Sequence, residues 1–163
     1  CFDMGVPADG IKNAVEKFTG AGRRFEFLGE YDGFMLADDY AHHPTEIKAT
    51  LSAAKELSYN NVIAVFQPFT FSRTALLKDD FIKALSIADK VILTPIMGSR
   101  EKNTYGIKSE DLAAGLRDVC VVDGFENIAD KIEEIARPGD LVITMGGGDI
   151  YKAAHIIQER HAK

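Results

Sequence analysis

The chain has 163 residues, of which 46% are hydrophobic and 27% are charged, and its formal net charge is −6. This length suits one domain that buries an ordinary core without disulfides or a structural metal. The composition excludes a disordered chain, and no apolar run approaches the roughly 20 residues that a bilayer requires. The acidic charge argues against nucleic acid as the main partner, because binding to a phosphate backbone requires a basic surface.

The cysteines indicate the compartment. Cys1 and Cys120 form neither a disulfide framework nor a C-x-x-C pair, so a reducing cytoplasm is expected. Because the first residue is a cysteine and not a methionine, we also expect the chain to be a piece of a longer protein.

The first predicted element is a short helix over Pro7 to Phe18, whose apolar residues fall on one stripe. Thr19 to Gly22 is a small, glycine-containing stretch that is typical of a linker. We therefore expect residues 1–18 to be the tail of a preceding domain or a linker helix. Residues 19–163 are expected to form the main domain.

A hairpin and four further strands are predicted next. Asp32-Gly33 lies between two apolar runs, 24–30 and 34–37, which indicates a hairpin and hence one antiparallel edge strand. The later runs are continuously apolar, as in parallel strands that are buried on both faces. They are Val62 to Phe66, Val91 to Leu93, Val119 to Val122, and Leu141 to Met145.

Helical periodicity separates these strands. Apolar stripes run over Ile47 to Leu57, Leu77 to Ala88 and Ile128 to Ile135, and a last helix is predicted over about Asp149 to Arg160. The alternation of strands and helices predicts a Rossmann-like α/β domain of three layers. Its sheet is expected to have about six mostly parallel strands with one antiparallel edge strand, and helices on both faces.

Polar segments follow four of the predicted strands. In open α/β sheets, ligands bind beyond the carboxyl ends of the strands, so we expect these segments to meet at one rim of the sheet. The segments are Asp38 to Pro44, Gln67 to Thr74, Thr94 to Glu101, and Gly146 to Asp149.

The stretch DDYAHHPTE, residues 38–46, allows several interpretations. A metal site is disfavoured, because adjacent histidines point in different directions and further ligands at a suitable spacing are missing. Pro44 suits the first position of a helix, His43 before it is restricted to an extended conformation, and Glu46 suits the first turn. Two interpretations stay open: a polar helix cap, or a place where free backbone amides beside His42 and His43 attract a phosphate or carboxylate.

Two arginines and a glycine run are further candidates. Arg73 is expected near the start of the second long helix, where its planar guanidinium could bind two oxygens of one anion. Arg73 and Arg100 could equally be solvated surface residues.

Gly146 to Gly148 resembles a nucleotide-binding turn, yet Tyr151 stands at the third glycine position of G-x-G-x-x-G. The chain also lacks a G-x-x-x-x-G-K-[ST] loop and a G-x-S-x-G turn. The residues alone therefore predict an anion-binding rim without a complete catalytic set.

Four segments in order resemble the C-terminal domain of the bacterial Mur ligases. They are Gly22 to Phe25, Asp38 to Glu46, Phe66 to Pro68 with Ser72 to Thr74, and Gly147 to Ile150. The resemblance runs from about Thr19 to the end, and it is greatest to the members that join L-alanine to UDP-N-acetylmuramate. Residues 1–18 then resemble the tail of the family's central ATPase domain.

The resemblance implies part of an ATP- and Mg²⁺-dependent amide-forming ligase that acts through an acyl phosphate in cytoplasmic peptidoglycan precursor synthesis. ATP and Mg²⁺ would be held mainly by the central domain, so the domain alone is expected to be inactive. The implied partners are UDP-N-acetylmuramate, L-alanine, and the N-terminal and central domains of the same chain. Neither nucleic acid nor a membrane is implied as a partner.

The family's nucleotide-binding and catalytic roles are carried over by resemblance to four positions of this sequence. Arg24 would contact the transferred phosphate, as both a catalytic and an ATP-binding residue, and Asp39 would contact the ribose of ATP. His42 and His43 would line the same cleft as catalytic residues. The resemblance implies no metal ligand in this domain.

The family's amino-acid site is carried over in the same way. Arg73 would bind the carboxylate of alanine, with His43 and Arg100 as further substrate-binding residues. Many relatives have a histidine where this chain has Phe69, so any polar contact at that position would be lost. The loop Gly98 to Tyr105 also varies within the family.

Two alternatives remain. A recycling ligase that attaches a ready-made tripeptide to the same nucleotide sugar shares a similar Asp-Asp-x-x-His-His-Pro segment, although Gln67-Pro68 with Ser72 to Thr74 is more similar to the alanine-adding form. A free-standing α/β module that binds a small anion without catalysis is the second alternative.

Overall fold

The structure is a computed structural model that describes residues 4–16 and 22–162. Its elements follow in the order α1 (Ala8–Glu16), β1 (Glu26–Tyr31), β2 (Phe34–Asp39), α2 (Pro44–Glu56), β3 (Val62–Phe66), α3 (Phe71–Leu76), α4 (Lys78–Leu85), β4 (Lys90–Leu93), α5 (Ser109–Ala113), β5 (Val119–Val121), α6 (Phe125–Ile135), β6 (Leu141–Met145) and α7 (Tyr151–His161). The end of the predicted first helix and most of the predicted linker, residues 17–21, lie outside the described residues.

The strands form one six-stranded sheet in the order β1-β2-β6-β3-β4-β5. β1 pairs with β2 in the antiparallel direction, and every other neighbouring pair is parallel. The predicted fold class, including its single antiparallel edge strand, is therefore confirmed.

Two apolar cores lie on opposite faces of the sheet. Alternate residues of a strand point to opposite faces, so Ala64 and Phe66 of β3 pack with α2, α4 and α5 while Ile63 and Val65 pack with α6 and α7. All four side chains are fully buried. Full burial of a side chain such as Phe66 contributes about 1.5–3 kcal/mol. Helices on both faces give the three layers that the sequence predicts.

The hairpin connection has the backbone that a tight turn requires. Asp32 and Gly33 have φ values of 48° and 84°, which is typical of a two-residue turn with both central residues in the left-handed region. β2 continues to Asp39, two residues beyond the predicted end of that strand. Both aspartates of the DDYAHHPTE stretch are therefore strand residues.

The helix predicted over Leu77 to Ala88 is present as α4, but the expectation that Arg73 lies near its start is wrong, because a separate helix, α3, precedes it. α3 and α4 are separated at Leu77, which has φ −111° and ψ 21°. Asp79 and Asp80 lie in the first turn of α4, where acidic side chains stabilise the start of a new helix. Arg73 therefore belongs to a separate six-residue helix. The short helix α5 is not predicted by the sequence pattern.

Candidate active site

Four strands end at one level of the sheet. Asp39 pairs with Met145, Met145 pairs with Phe66, and Phe66 pairs with Leu93. The segments that follow β2, β3, β4 and β6 therefore start side by side, as expected from the sequence. We call this edge the rim.

The helix that starts at the rim has a reciprocal cap. His43 is the N-cap residue of α2, in an extended conformation, and Pro44 is its first residue. The Nδ1 atom of His43 accepts a 3.3 Å hydrogen bond from the backbone amide of Thr45. Glu46 accepts hydrogen bonds of 3.0 and 3.1 Å from the backbone amides of His42 and His43. The cap interpretation is confirmed for His43, and these amides already have partners.

Glu46 is held in its ionised form by this cap. The hydrogen bond from the backbone amide of His42 is the main cause that lowers the pKa of Glu46 below its ordinary value of 4.5, although partial burial acts in the opposite direction. The charge of Glu46 also lies near the N-terminus of α2, where the helix dipole favours it.

The imidazole of His42 has a defined orientation. Its Nδ1 atom lies 3.0 Å from the backbone oxygen of Tyr40, and a carbonyl only accepts, so Nδ1 carries the hydrogen. Its Nε2 atom is therefore the one that can accept from a bound ligand, or donate to it when protonated. A Cβ atom on Gly147 would lie 3.4 Å from Cγ of His42. The glycine thus allows the β6 turn to approach the imidazole closely.

Asp39 joins two segments through backbone hydrogen bonds. Its side chain is buried, and its two oxygens accept 2.7 Å hydrogen bonds from the amides of Phe25 and Ala41. The carboxylate therefore fixes the chain before β1 against the chain after β2. A contact with ribose would use the remaining lone pairs, and it stays a prediction.

Arg24 is exposed at the rim, and its neighbour Arg23 is directed inward. Arg23 and Phe25 have φ values of 58° and 47°, so the backbone turns sharply on both sides of Arg24. Arg23 donates to Asp38, Gly146 and Gly148. The sequence pattern predicts a site role for Arg24 alone and gives no sign of the inward role of Arg23.

The glycine turn after β6 is held by side chains from other segments. Gly146 has φ 154°, and its backbone oxygen accepts a 2.7 Å hydrogen bond from Arg23. Oε1 of Gln67 accepts a 2.8 Å hydrogen bond from the amide of Asp149. A Cβ atom on Gly148 would overlap the side chains of Gln67 and Met97, so a larger residue there would displace Gln67 from its hydrogen bond with Asp149.

Arg73 lies in α3, on the part of the rim that follows β3. Its Nη1 atom is buried and has no hydrogen-bond partner among the described residues. A buried, unpaired guanidinium nitrogen is costly in the absence of a ligand, and a bound carboxylate would satisfy it. Thr70, which precedes α3, has φ 66°, a strained value for a β-branched residue and one that clusters at functional sites.

The loop after β4 contacts α3 through Glu101 rather than Arg100. Glu101 accepts hydrogen bonds from the amide and hydroxyl of Ser72, at 2.9 and 2.6 Å. The hydroxyl of Ser72 is the main cause that lowers the pKa of Glu101, and the charge of Arg73 acts in the same direction. Arg100 is exposed. Phe69 forms a parallel bridge with Met97, so its backbone joins the two loops.

Two cavities open at the rim. One of about 310 Å³ is lined by Gln67, Met97 and Asp149 among others, between the ends of β3, β4 and β6. Another of about 600 Å³ lies between α2 and α4 and is lined in part by His43 and Lys48. Residues from four segments of the rim therefore line open cavities.

The described residues hold neither a cluster of metal ligands nor a membrane-spanning helix. Among residues 4–16 and 22–162, no group of three or more His, Cys, Asp or Glu side chains could hold a metal ion. In the same ranges, no helix is both long and apolar enough to cross a membrane.

Residues 23–148 match the sequence model of one protein family, which is described as "Mur ligase, glutamate ligase domain". This match covers most of the chain. The chain belongs to the Mur ligase family. The resemblance inferred from the sequence segments is thereby confirmed.

A curated relative from Caldicellulosiruptor saccharolyticus, a UDP-N-acetylmuramate–L-alanine ligase, is 47% identical over 163 residues. The match covers 98% of this chain and 36% of the relative. The chain thus spans about a third of the length of the curated relatives it matches.

Solved structures agree with the fold. The UDP-N-acetylmuramate-alanine ligase of Thermotoga maritima matches 98% of this Mur ligase chain and 34% of its own length, with a TM-score of 0.73 and 26% identity. A domain from a putative UDP-N-acetylmuramate:L-alanyl-γ-D-glutamyl-meso-diaminopimelate ligase of Haemophilus ducreyi matches 84% of this chain and 98% of its own length, with a TM-score of 0.66 and 22% identity. The second likeness supports the fold alone.

The structure places every predicted site residue on segments that start at the rim or immediately before β1. The β2–α2 corner contains Asp39, His42 and His43. The amide of Phe25 donates to Asp39, and this hydrogen bond brings the preceding residue, Arg24, to the same corner. Arg73 lies in α3 and Arg100 in the loop after β4, on the neighbouring segments of the rim. The site therefore has two parts, a β2–α2 corner and an α3 loop region.

Proposed function

We propose that this chain is the C-terminal, amino-acid-binding domain of an ATP-dependent ligase that joins L-alanine to UDP-N-acetylmuramate in peptidoglycan precursor synthesis. The observation that carries the proposal is the convergence of four strand ends, which places an exposed arginine and an incompletely bonded arginine on one rim. The whole-chain similarity to an L-alanine ligase supports the choice of substrate.

The β2–α2 corner is the phosphate side of the proposed site. Arg24 is exposed and its backbone is fixed on both sides, so its charge can face the phosphate that is transferred. Asp39 lies beside it and would accept from the ribose hydroxyls. His42 presents Nε2, and His43, whose Nδ1 accepts from Thr45, presents Nε2–H to the same cleft.

The α3 region is the amino-acid side of the proposed site. Arg73 has a buried Nη1 atom with bonding capacity left, which suits the carboxylate of L-alanine. Holding that carboxylate would direct the amine toward the acyl carbon, and such positioning is a large part of catalysis in amide formation. Arg100 and His43 are proposed as further contacts to this substrate.

ATP and Mg²⁺ fit this proposal as groups that are bound mainly by another domain of the ligase. The exposed Arg24 supplies positive charge for phosphate, and the buried Asp39 supplies acceptor oxygens. When bound, ATP supplies the phosphoryl group that activates the carboxylate. Residues 1–18 are proposed to be the tail of that central domain, and residues 19–163 the domain that closes on it.

The test is an assay of the full-length ligase, by release of ADP and mass spectrometry of the product. Purified enzyme receives ATP, Mg²⁺ and UDP-N-acetylmuramate, with either L-alanine or the tripeptide L-Ala-γ-D-Glu-meso-diaminopimelate as the amine. We expect amide formation with L-alanine. Efficient use of the tripeptide and none of L-alanine would instead identify the recycling ligase.

The same assay on the 163-residue chain addresses the free-standing module. We expect no turnover by this chain and, in calorimetry, binding of phosphate or ATP weaker than about 1 mM, because part of the cleft belongs to another domain. Micromolar binding of phosphate by the chain alone would favour the anion-binding module.

A further inference from the structure

The guanidinium of Arg23 connects three segments of the rim. Its Nε atom donates a 2.7 Å hydrogen bond to Oδ2 of Asp38, and its two terminal nitrogens donate to the backbone oxygens of Gly146 and Gly148 at 2.7 and 3.3 Å. One planar group thus joins the chain before β1, the end of β2 and the turn after β6.

Aromatic rings and a second hydrogen bond hold this arrangement in place. The central carbon of the guanidinium lies 5.0 Å from the ring centroid of Tyr40 and 4.7 Å from that of Tyr151, distances at which cation–π attraction is significant. Oδ1 of Asp38 accepts a 2.6 Å hydrogen bond from Thr144, which is fully buried. The carboxylate partner of Arg23 therefore cannot rotate freely.

The backbone of Arg23 is fixed as well. Its amide donates 2.7 Å to Glu26, and its oxygen accepts 2.8 Å from the amide of Tyr40. Because Arg24 follows directly, a residue held by both side chain and backbone sets where Arg24 projects. Asp39 lies on the opposite face of β2 and accepts hydrogen bonds from the amides of Phe25 and Ala41. It therefore fixes the backbone on the other side of Arg24.

We infer that Arg23 is a positioning residue for the nucleotide half of the site: it holds Arg24, Asp39 and the glycine turn in register. The inference rests on the proposed function. Lysine cannot replace Arg23, because a single ammonium lacks the planar fork that serves a carboxylate and two backbone oxygens together.

The test compares Arg23→Lys with wild type in the full-length ligase, with steady-state kinetics well below the unfolding temperature. We expect the KM for ATP to rise about tenfold or more and kcat to fall about tenfold, because small displacements of positioning groups have effects of this size. The KM for L-alanine should change much less, by about twofold, since the guanidinium of Arg23 donates to Asp38, Gly146 and Gly148 and reaches α3 only through the glycine turn.

Arg137→Lys is the matched control. Arg137 also donates to two backbone oxygens, those of Glu134 and Ala136, but it precedes β6 at the opposite edge of the sheet. We expect this variant to keep the wild-type kcat and both wild-type KM values.

Two results would overturn the inference. One is wild-type kinetics in Arg23→Lys; the other is a loss of kcat that matches the unfolded fraction, with both KM values unchanged.

If Arg23→Lys does not fold, Tyr151→Leu removes one ring beside the guanidinium without removing a hydrogen bond. It should raise the KM for ATP severalfold, and wild-type kinetics there would count against the inference. Turnover of L-alanine by the wild-type enzyme tests the proposed function, and it does so separately from the comparison of KM and kcat between variant and wild type.

Discussion

Oδ2 of Asp39 accepts a 2.7 Å hydrogen bond from the backbone amide of Phe25, a residue 14 positions earlier whose φ is 47°. Oδ1 of the same carboxylate accepts an equally short bond from the amide of Ala41. A single buried side chain thus fixes the backbone that carries Arg24 and the backbone that leads to α2. The ATP-binding role proposed for Asp39 is added to a structural one.

Asp39→Asn should therefore destabilise the domain as well as weaken ATP binding. An amide keeps one acceptor oxygen and places a donor against one of the two backbone N–H groups, which costs about 1–3 kcal/mol in the free energy of unfolding. Urea unfolding of the 163-residue chain measures this loss.

The matched control for this substitution is Asp140→Asn. Asp140 is fully buried and accepts from Asn61 and from the amide of Arg137, but it lies before β6, away from the rim. We expect a similar loss of stability from both variants and a raised KM for ATP only from Asp39→Asn. A fully stable Asp39→Asn protein would contradict the account of this carboxylate.

Glu46→Gln tests the helix cap through its pH dependence. The pKa of Glu46 is lowered in the folded state, so its ionised form adds stability above the unfolded pKa, and this stability is lost as the pH falls through the folded pKa. At pH 7 we expect wild type to be more stable by about 0.5–1 kcal/mol, a cap contribution reduced by solvent exposure. The difference should shrink as the pH falls below 4.5. Urea unfolding at a series of pH values measures it, and a difference that stays constant down to the acid limit would refute the cap explanation.

The glycine turn gives a steric prediction. In Gly148→Ala the new methyl group overlaps Gln67 and Met97, whereas in Gly147→Ala it meets Cγ of His42 at 3.4 Å. We expect Gly148→Ala to lose about 1–3 kcal/mol of unfolding free energy. Gly147→Ala should change it by about 0.5 kcal/mol or less. Thermal unfolding of both variants measures the contrast, and equal midpoints would show that the turn can relax around either methyl group.

The fold was predictable because apolar runs and helical stripes report directly on burial. β3 and β6 have the predicted bounds, and Pro44 starts α2 as the local pattern indicates. The break at Leu77 was not predictable from periodicity, since the apolar stripe continues from Leu77 to Phe81 and only the backbone angles separate α3 from α4.

The site was predictable only in part. Strand ends and the DDYAHHPTE stretch indicated the rim, but the adjacent arginines Arg23 and Arg24 look equivalent in a sequence. Their difference arises from the left-handed backbone at Arg23 and from partners more than 120 residues later, the oxygens of Gly146 and Gly148. Local patterns carry no information on such distant contacts.

The kinetics of Arg73→Ala test most directly the claim that the rim binds the amino acid through α3. In the full-length ligase, we expect the KM for L-alanine to rise about a hundredfold, because the half-buried guanidinium that pairs with the carboxylate is lost, while the KM for ATP stays within about twofold. Arg117→Ala, which removes an exposed arginine before β5, is the control and should leave both values unchanged. An unchanged KM for L-alanine in Arg73→Ala, or an equal rise in both KM values, would contradict the account.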